Sequence, residues 1–265
     1  MKTIDEMIIN YVSKGMTINQ AENYVCQEII LNKISKSPMS DRVLIKGGVV
    51  MFNTTKNLRR STIDLDFDFI RYDISNKSIE LFIELLNKYN SSYIVKIDKI
   101  EPLHQDDYQG KRVIVTIRDK TRKIVFKLDI GVHTLLAIEQ SSACFYFDDE
   151  NQIVLKVNPP EQIFAEKLLS LVKHGVLSTR YKDIFDMYYF INEKMLKKDV
   201  VRKCLELLLI KPIKGIATID DVCENVSKVF ENDQYNERIR TTKEKWIDID
   251  YMIVFKTIED YIFSI

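Results

Sequence analysis

Three carboxylates alternate with apolar residues in one short segment, Asp64-Leu65-Asp66-Phe67-Asp68-Phe69. Successive side chains of a β-strand point to opposite faces, so this pattern predicts a strand with one acidic and one apolar face. The acidic face is costly to bury unless it is solvated or binds a cation. Two interpretations follow. The segment is an edge strand with a solvated acidic side, or paired carboxylates on it bind a hard divalent ion such as Mg²⁺.

A double glycine, Gly47-Gly48, lies upstream between an apolar strand-like run, Val43–Lys46, and an apolar helix start. Such a strand-to-helix turn lets backbone N–H groups approach a phosphate and directs the positive end of the helix dipole towards it. Most glycine pairs are simply turns. Here the basic residues Lys56, Arg59 and Arg60 and the acidic strand follow, an order that predicts a phosphate-binding loop beside a metal site.

A third carboxylate is predicted on a neighbouring strand. In Ile124–Ile130 apolar residues alternate with Lys127 and Asp129. If this strand lies beside the acidic one, Asp129 completes a metal-binding triad with Asp64 and Asp66. The alternative is that Asp129 ends its strand and forms a turn with Gly131.

The remaining patterns predict an α+β fold, with a mixed β-sheet, flanking helices and a helical C-terminal part. We expect a sheet domain with N-terminal helices over residues 1–157 and a helical domain over residues 158–265. The predicted helices include residues 17–35, 76–90 and 160–174, and the further strands are residues 93–100, 112–118, 123–130 and 153–157.

Composition narrows the setting of the protein. The four cysteines have no close spacing, which indicates reduced thiols and a cytoplasmic location. The sequence has no run of about 18 apolar residues, so no membrane-spanning helix is predicted. Lys plus Arg and Asp plus Glu both number 39, so a nucleic-acid partner would have to be held by a local basic patch.

Two blocks of sequence resemble a known family. The first is Lys46-Gly47-Gly48 followed by Arg60-x-Thr62-x-Asp64-Leu65-Asp66-Phe67, and the second is Ala165-Glu166-Lys167-Leu168 followed by Arg180-x-Lys182-Asp183-x-x-Asp186. Both are similar to motifs of the AbiEii/AbiGii toxin nucleotidyltransferases, in the DNA polymerase β-like superfamily. That family belongs to type IV toxin–antitoxin and abortive-infection systems.

The resemblance implies an enzyme that uses an NTP and Mg²⁺ or Mn²⁺, with a tRNA 3′ end as a candidate RNA acceptor and a cognate antitoxin as partner. It also implies that the helical domain contributes to the active site. The expected catalytic residues are Asp64, Asp66, Asp129, Lys167 and Asp183, of which the first three bind metal. The expected nucleotide-binding residues are Lys46, Gly47, Gly48, Arg60, Thr62, Lys167 and Asp183.

Several alternatives stay open. The acceptor could be a protein hydroxyl, or the chain could be a degenerate transferase that binds a nucleotide or partner without turnover. Val49 stands where the family often has Ser or Thr, which removes a hydroxyl contact to a phosphate. Because the family motif stops at Asp66, Asp68 is predicted to be a solvated acid. A basic run is predicted to be a solvated helix face, or else to follow tRNA phosphates: Lys194, Lys197, Lys198, Arg202 and Lys203.

Overall fold

The computed structural model describes residues 2–90, 92–103, 110–134, 137–148, 151–210, 213 and 215–265. The chain divides into two compact units. The first comprises Met1–Leu136 and Gln140–Asn158, and the second comprises Ala137–Glu139 and Pro159–Ile265.

The first unit is built on a mixed sheet. Its strands are β1 (Val43–Lys46), β2 (Asp64–Phe69), β3 (Ile94–Pro102), β4 (Lys111–Arg118), β5 (Lys123–Val132), β6 (Ser141–Asp148) and β7 (Asn151–Val157). They are hydrogen-bonded in the order β3-β4-β5-β2-β1-β7-β6. Strand β2 is therefore central, antiparallel to β1 and parallel to β5.

The helices among the described residues of this unit are α1 (Ile4–Ser13), α2 (Ile18–Lys36), α3 (Gly47–Thr55) and α4 (Asn76–Asn87). The apolar face of β2 is covered as the alternation predicts, because Leu65, Phe67 and Phe69 are fully buried. Phe82 of α4 packs against both phenylalanines, with ring centroids 5.7 and 5.0 Å away. This packing holds the strand so that its carboxylates face away from the core.

Helix α2 begins with a reciprocal capping box, in which Thr17 and Gln20 satisfy each other's backbone N–H groups. Its Lys33 is fully buried. The Lys33 ammonium group donates to the carbonyl oxygens of Leu86, Tyr89 and Asn90 at 3.3, 2.7 and 2.8 Å. Burial lowers the pKa of this lysine to about 8. Lys33 thus supplies a further donor to three carbonyl groups at and just beyond the end of α4.

The second unit is helical in the part that the structure describes. Its helices are α5 (Pro160–His174), α6 (Tyr181–Asn192), α7 (Lys198–Leu209), α8 (Ile219–Phe230), α9 (Asp233–Thr241) and α10 (Tyr251–Ile262). Helix α5 begins at Pro160 and ends at His174, and the residue that follows, Gly175, has a positive φ of 54°. The core of the second unit includes the stacked rings of Phe230 and Phe255, whose centroids are 3.9 Å apart.

The predicted α+β class with a mixed sheet is confirmed. Strand β6 was not predicted, and β5 continues through Gly131 to Val132, so the proposed turn at Gly131 is wrong. Within the described ranges, no helix combines the length and the apolar character needed to cross a bilayer.

Candidate active site

The central strands bring three carboxylates together. Asp66 of β2 lies opposite Asp129 of β5 and opposite Lys46 of β1. One carboxylate oxygen from each of Asp64, Asp66 and Asp129 lies within 4.8 Å of the others. Oxygen atoms from three rigid strand positions suit a hard divalent cation. These are the residues for which the sequence predicts a metal site.

The ionisation of Asp66 is strongly perturbed. Burial, together with the negative charges of Asp64, Asp129 and Asp68, raises its pKa to about 7, while the positive charge of Lys46 lowers it. A carboxyl group with this pKa marks a position where negative charge is insufficiently compensated by the protein. The site therefore favours an additional cation.

The double glycine packs directly against the carboxylate strand. Gly47 has φ +65°, and a Cβ there would lie 2.0 Å from the Asp66 Oδ2 atom. A Cβ on Gly48 would lie 2.5 Å from the Cβ of Thr62. Both positions exclude any larger residue, and the two glycines are the first residues of α3, where backbone N–H groups lack acceptors within the helix. Val49, in contrast, is buried.

The segment before the acidic strand is held from two sides. Thr62 donates its hydroxyl to Asp64 Oδ1 at 2.6 Å. Gln27 of α2 donates its amide to the carbonyl oxygens of Thr62 and Asp64 at 3.1 and 3.0 Å. Arg60 is also buried, with 5% of its surface exposed. Sequence reasoning missed Gln27, because a single amide within a helix gives no signal of its contact to a distant segment.

The interpretation of Asp68 as a solvated acid was wrong. Only 4% of its surface is exposed, and its Oδ2 lies 2.9 Å from the Lys46 ammonium group. The neighbouring strand β1 supplies this lysine, and the ion pair makes burial of the carboxylate tolerable. Lys46, predicted to bind nucleotide, is therefore placed on the acidic face by its contact with Asp68.

Arg112 is a residue of the site that sequence reasoning missed. It lies opposite Asp129 in the β4–β5 pair, and its Nε and Nη2 donate to the two carboxylate oxygens at 2.8 and 2.7 Å. These hydrogen bonds raise the pKa of Arg112. Because a bidentate guanidinium fixes both the plane and the position of a carboxylate, Arg112 holds Asp129 in orientation beside Asp66.

In the helical unit, the predicted residues Lys167 and Asp183 lie in contact with each other. Lys167 of α5 contacts Asp183 and Asp186 of α6, and its ammonium group lies 2.9 Å from Asp186 Oδ2. Asp186 is fully buried, and the side chains of Lys167 and Asp183 are 12% and 19% exposed. Because residues three apart share a helix face, Asp183 and Asp186 both point towards Lys167, and their carboxylates fix its ammonium group.

Comparison with known proteins shows the family to which the sequence is similar. A sequence model described as "Nucleotidyl transferase AbiEii toxin, Type IV TA system" matches residues 29–252, which is most of the chain. No curated protein matches the sequence.

Solved structures are similar at low identity. The chain is similar to JHP933 from Helicobacter pylori, with 12% identity, a TM-score of 0.47, and 94% of this chain and 93% of that chain covered. It is also similar to an antigenic nucleotidyltransferase-like protein from Paracoccidioides brasiliensis, with 16% identity, a TM-score of 0.43, and 80% and 97% covered.

Proposed function

The chain belongs to the family of AbiEii nucleotidyl transferase toxins of type IV toxin–antitoxin systems, and we propose that it transfers an NMP from an NTP to an RNA hydroxyl. The proposed acceptor is the 3′ end of a tRNA, and the proposed setting is the cytoplasm, where a cognate antitoxin counteracts the enzyme. The observation that carries the proposal is the convergence of Asp64, Asp66 and Asp129 within 4.8 Å.

The three carboxylates fit a divalent cation. Asp64, Asp66 and Asp129 would hold Mg²⁺ or Mn²⁺, since both take oxygen ligands and the raised pKa of Asp66 indicates missing positive charge. A cation bound there would neutralise charge on the triphosphate and on the departing pyrophosphate. The remaining catalysis consists of positioning and electrostatic stabilisation by the protein.

Asp129 is the proposed acceptor of the proton from the attacking hydroxyl. Arg112 keeps the carboxylate of Asp129 in place through two hydrogen bonds. The backbone N–H groups of Gly47 and Gly48 would bind phosphate oxygens at the start of α3, because they are unsatisfied within the helix and lie at the positive end of its dipole. The other proposed nucleotide-binding residues of the first unit are Lys46, Arg60 and Thr62.

Lys167 and Asp183 are the proposed nucleotide-binding residues of the helical unit. Lys167 would bind the triphosphate as a compact positive charge. Asp183 and Asp186 hold its ammonium group from two directions, which reduces the side-chain entropy lost on binding. If this role is correct, Lys167→Met lowers NTP affinity, whereas the same change at the exposed Lys173 does not.

The experiment is an incubation of the protein with each of four α-³²P-labelled NTPs, Mg²⁺ and total tRNA, with Asp66→Asn as the inactive control. We expect label on RNA with at least one NTP and none with the variant. Label on protein alone would identify a protein hydroxyl as the acceptor. Nucleotide binding without transfer, equal in the wild type and the variant, would identify a degenerate binder and overturn the proposal.

A further inference from the structure

One face of the sheet continues from the carboxylates across β5, β4 and β3. Asp129, Lys127, Val125 and Lys123 alternate along β5 on the face that carries the triad, and Lys127 lies opposite Asp64. Register places Arg118 opposite Lys123 and Thr116 opposite Val125 in β4, and Lys96 opposite Thr116 in β3.

This face carries a surplus of positive charge. We define the basic sheet face as its four exposed cationic side chains: Lys96, Arg118, Lys123 and Lys127. None of the four forms a hydrogen bond or ion pair within the part of the chain that the structure describes. Of the neighbouring acids, Glu101 pairs with Lys99 at 2.5 Å, and Asp98 accepts a hydrogen bond from Thr116 at 2.5 Å.

Apolar side chains are exposed between these cations. Val125 is 60% exposed and Ile94 is 43% exposed. In an isolated protein, apolar side chains on an uncovered sheet would favour association. Here Val125 and Ile94 lie between cationic side chains. Such a surface suits a polymer that has both anionic groups and apolar faces. Single-stranded RNA is such a polymer, because it has phosphates and bases.

The face also has the right position and extent. Lys127 lies directly beside the carboxylates, and Lys123 is six residues from Asp129, which corresponds to about 20 Å along the strand. The cations thus form a path that ends at the three carboxylates. The net charge of the whole chain is zero, so it cannot attract a polyanion. A local patch must do so.

We propose that the basic sheet face binds the phosphodiester backbone of the acceptor RNA and leads its 3′ end to Asp129. The proposal rests on the proposed transfer to RNA and names the surface that selects a polynucleotide as acceptor. Each cation that contacts a phosphate releases counterions on binding, so affinity should fall steeply with salt. We propose this face, and not the lysine run around α7, as the RNA-binding surface.

The test compares two triple variants of the full chain with equal changes of charge. The first is Lys96→Gln/Arg118→Gln/Lys123→Gln, which leaves the residues around the triad intact. The matched control is Lys197→Gln/Lys198→Gln/Lys203→Gln, at three exposed lysines in and beside α7. Binding of 5′-fluorescein tRNA and of a 5′-fluorescein single-stranded RNA is measured by anisotropy over a KCl series, and NTP binding by the same proteins is measured separately.

We expect the sheet variant to bind both RNAs about tenfold more weakly and to reduce the slope of log affinity against log salt by about 2, at roughly 0.7 for each lost contact. NTP affinity and the α7 control should match the wild type. Unchanged RNA binding by the sheet variant, or an equal loss in the α7 control, overturns the proposal.

Two results separate this inference from the proposed function. If the wild type and the sheet variant transfer label to RNA equally well and bind RNA with equal affinity, the proposed function stands and the RNA surface is overturned. If no transfer occurs to any acceptor but the sheet variant alone loses RNA affinity and salt dependence, the surface is supported and the proposed activity fails.

Discussion

Substitution of Asp66 by asparagine should make the metal-free protein more stable at pH 8. In the folded protein the pKa of Asp66 is about 7, against 3.8 for the unperturbed group. At about 1.4 kcal/mol per pH unit between these values, the ionised carboxylate costs the folded state on the order of 4 kcal/mol. Asparagine has nearly the same shape and no charge, so it removes this cost.

The sign and the pH range follow from the raised pKa. Between about pH 4 and pH 7 the folded protein holds a proton on Asp66 that the unfolded chain has lost. The free energy of unfolding of the metal-free wild type therefore falls as pH rises through this range and levels off above it. The advantage of Asp66→Asn should be absent near pH 4 and complete at pH 8.

The assay is thermal unfolding in EDTA at pH 4.5, 6 and 8, followed by the same scans with Mg²⁺. At pH 8 the variant should melt roughly 5 to 15 °C above the wild type in EDTA. Mg²⁺ should raise the melting temperature of the wild type and leave that of the variant unchanged, because a bound cation stabilises only the protein that binds it.

Asp68→Asn is the matched control on the same strand. Asp68 is buried against Lys46 at 2.9 Å, so the substitution leaves that lysine without its charged partner and should destabilise the protein by about 1 to 3 kcal/mol. Opposite signs at two aspartates two residues apart are the expected result. If Asp66→Asn also destabilises the metal-free protein at pH 8, the carboxylate is already compensated by the protein and the reasoning is refuted.

Substitutions at three further residues test other parts of the structure. Gly47→Ala places a Cβ 2.0 Å from Asp66 Oδ2 at φ +65°, so transfer activity should fall about 100-fold or more; activity within twofold of the wild type would contradict this packing. Arg112→Gln should lower kcat by about 10- to 100-fold, because Asp129 loses its orientation, and Arg112→Lys should restore only part of it; full activity of the Gln variant would exclude a positioning role. Lys33→Met should lower the free energy of unfolding in urea by about 1 to 3 kcal/mol, since three carbonyl groups lose the hydrogen bond from its ammonium group, and should leave Mn²⁺ affinity unchanged; undiminished stability would show that water replaces the lysine.

The sequence was most informative where its pattern is local. Alternation in β2 predicts both the buried face, with Phe67 and Phe69, and the acidic face, because strand geometry depends only on neighbouring residues. Capping of α2 by Thr17 and Gln20 was predictable for the same reason. The pairing of Asp66 with Asp129 was a hypothesis about two distant strands, and no local rule determines that they are adjacent.

The failures came from contacts between strands. Asp68 was misread because its partner, Lys46, lies on β1 and pattern alone does not show which strand is adjacent. Arg112 could have been found: a hairpin that pairs Arg118 with Lys123 also pairs Arg112 with Asp129. The close approach of Gly47 to Asp66 required the positions of both backbones.

Direct titration with Mn²⁺, followed by electron paramagnetic resonance, is the most direct test that Asp64, Asp66 and Asp129 form a divalent-cation site. The wild type should bind Mn²⁺, and Asp66→Asn and Asp129→Asn should each weaken binding by about 10-fold or more. Asp68→Asn should bind Mn²⁺ with the affinity of the wild type, because the Asp68 carboxylate forms an ion pair with Lys46. Equal Mn²⁺ affinity in the wild type and in Asp66→Asn would contradict the assignment of the site.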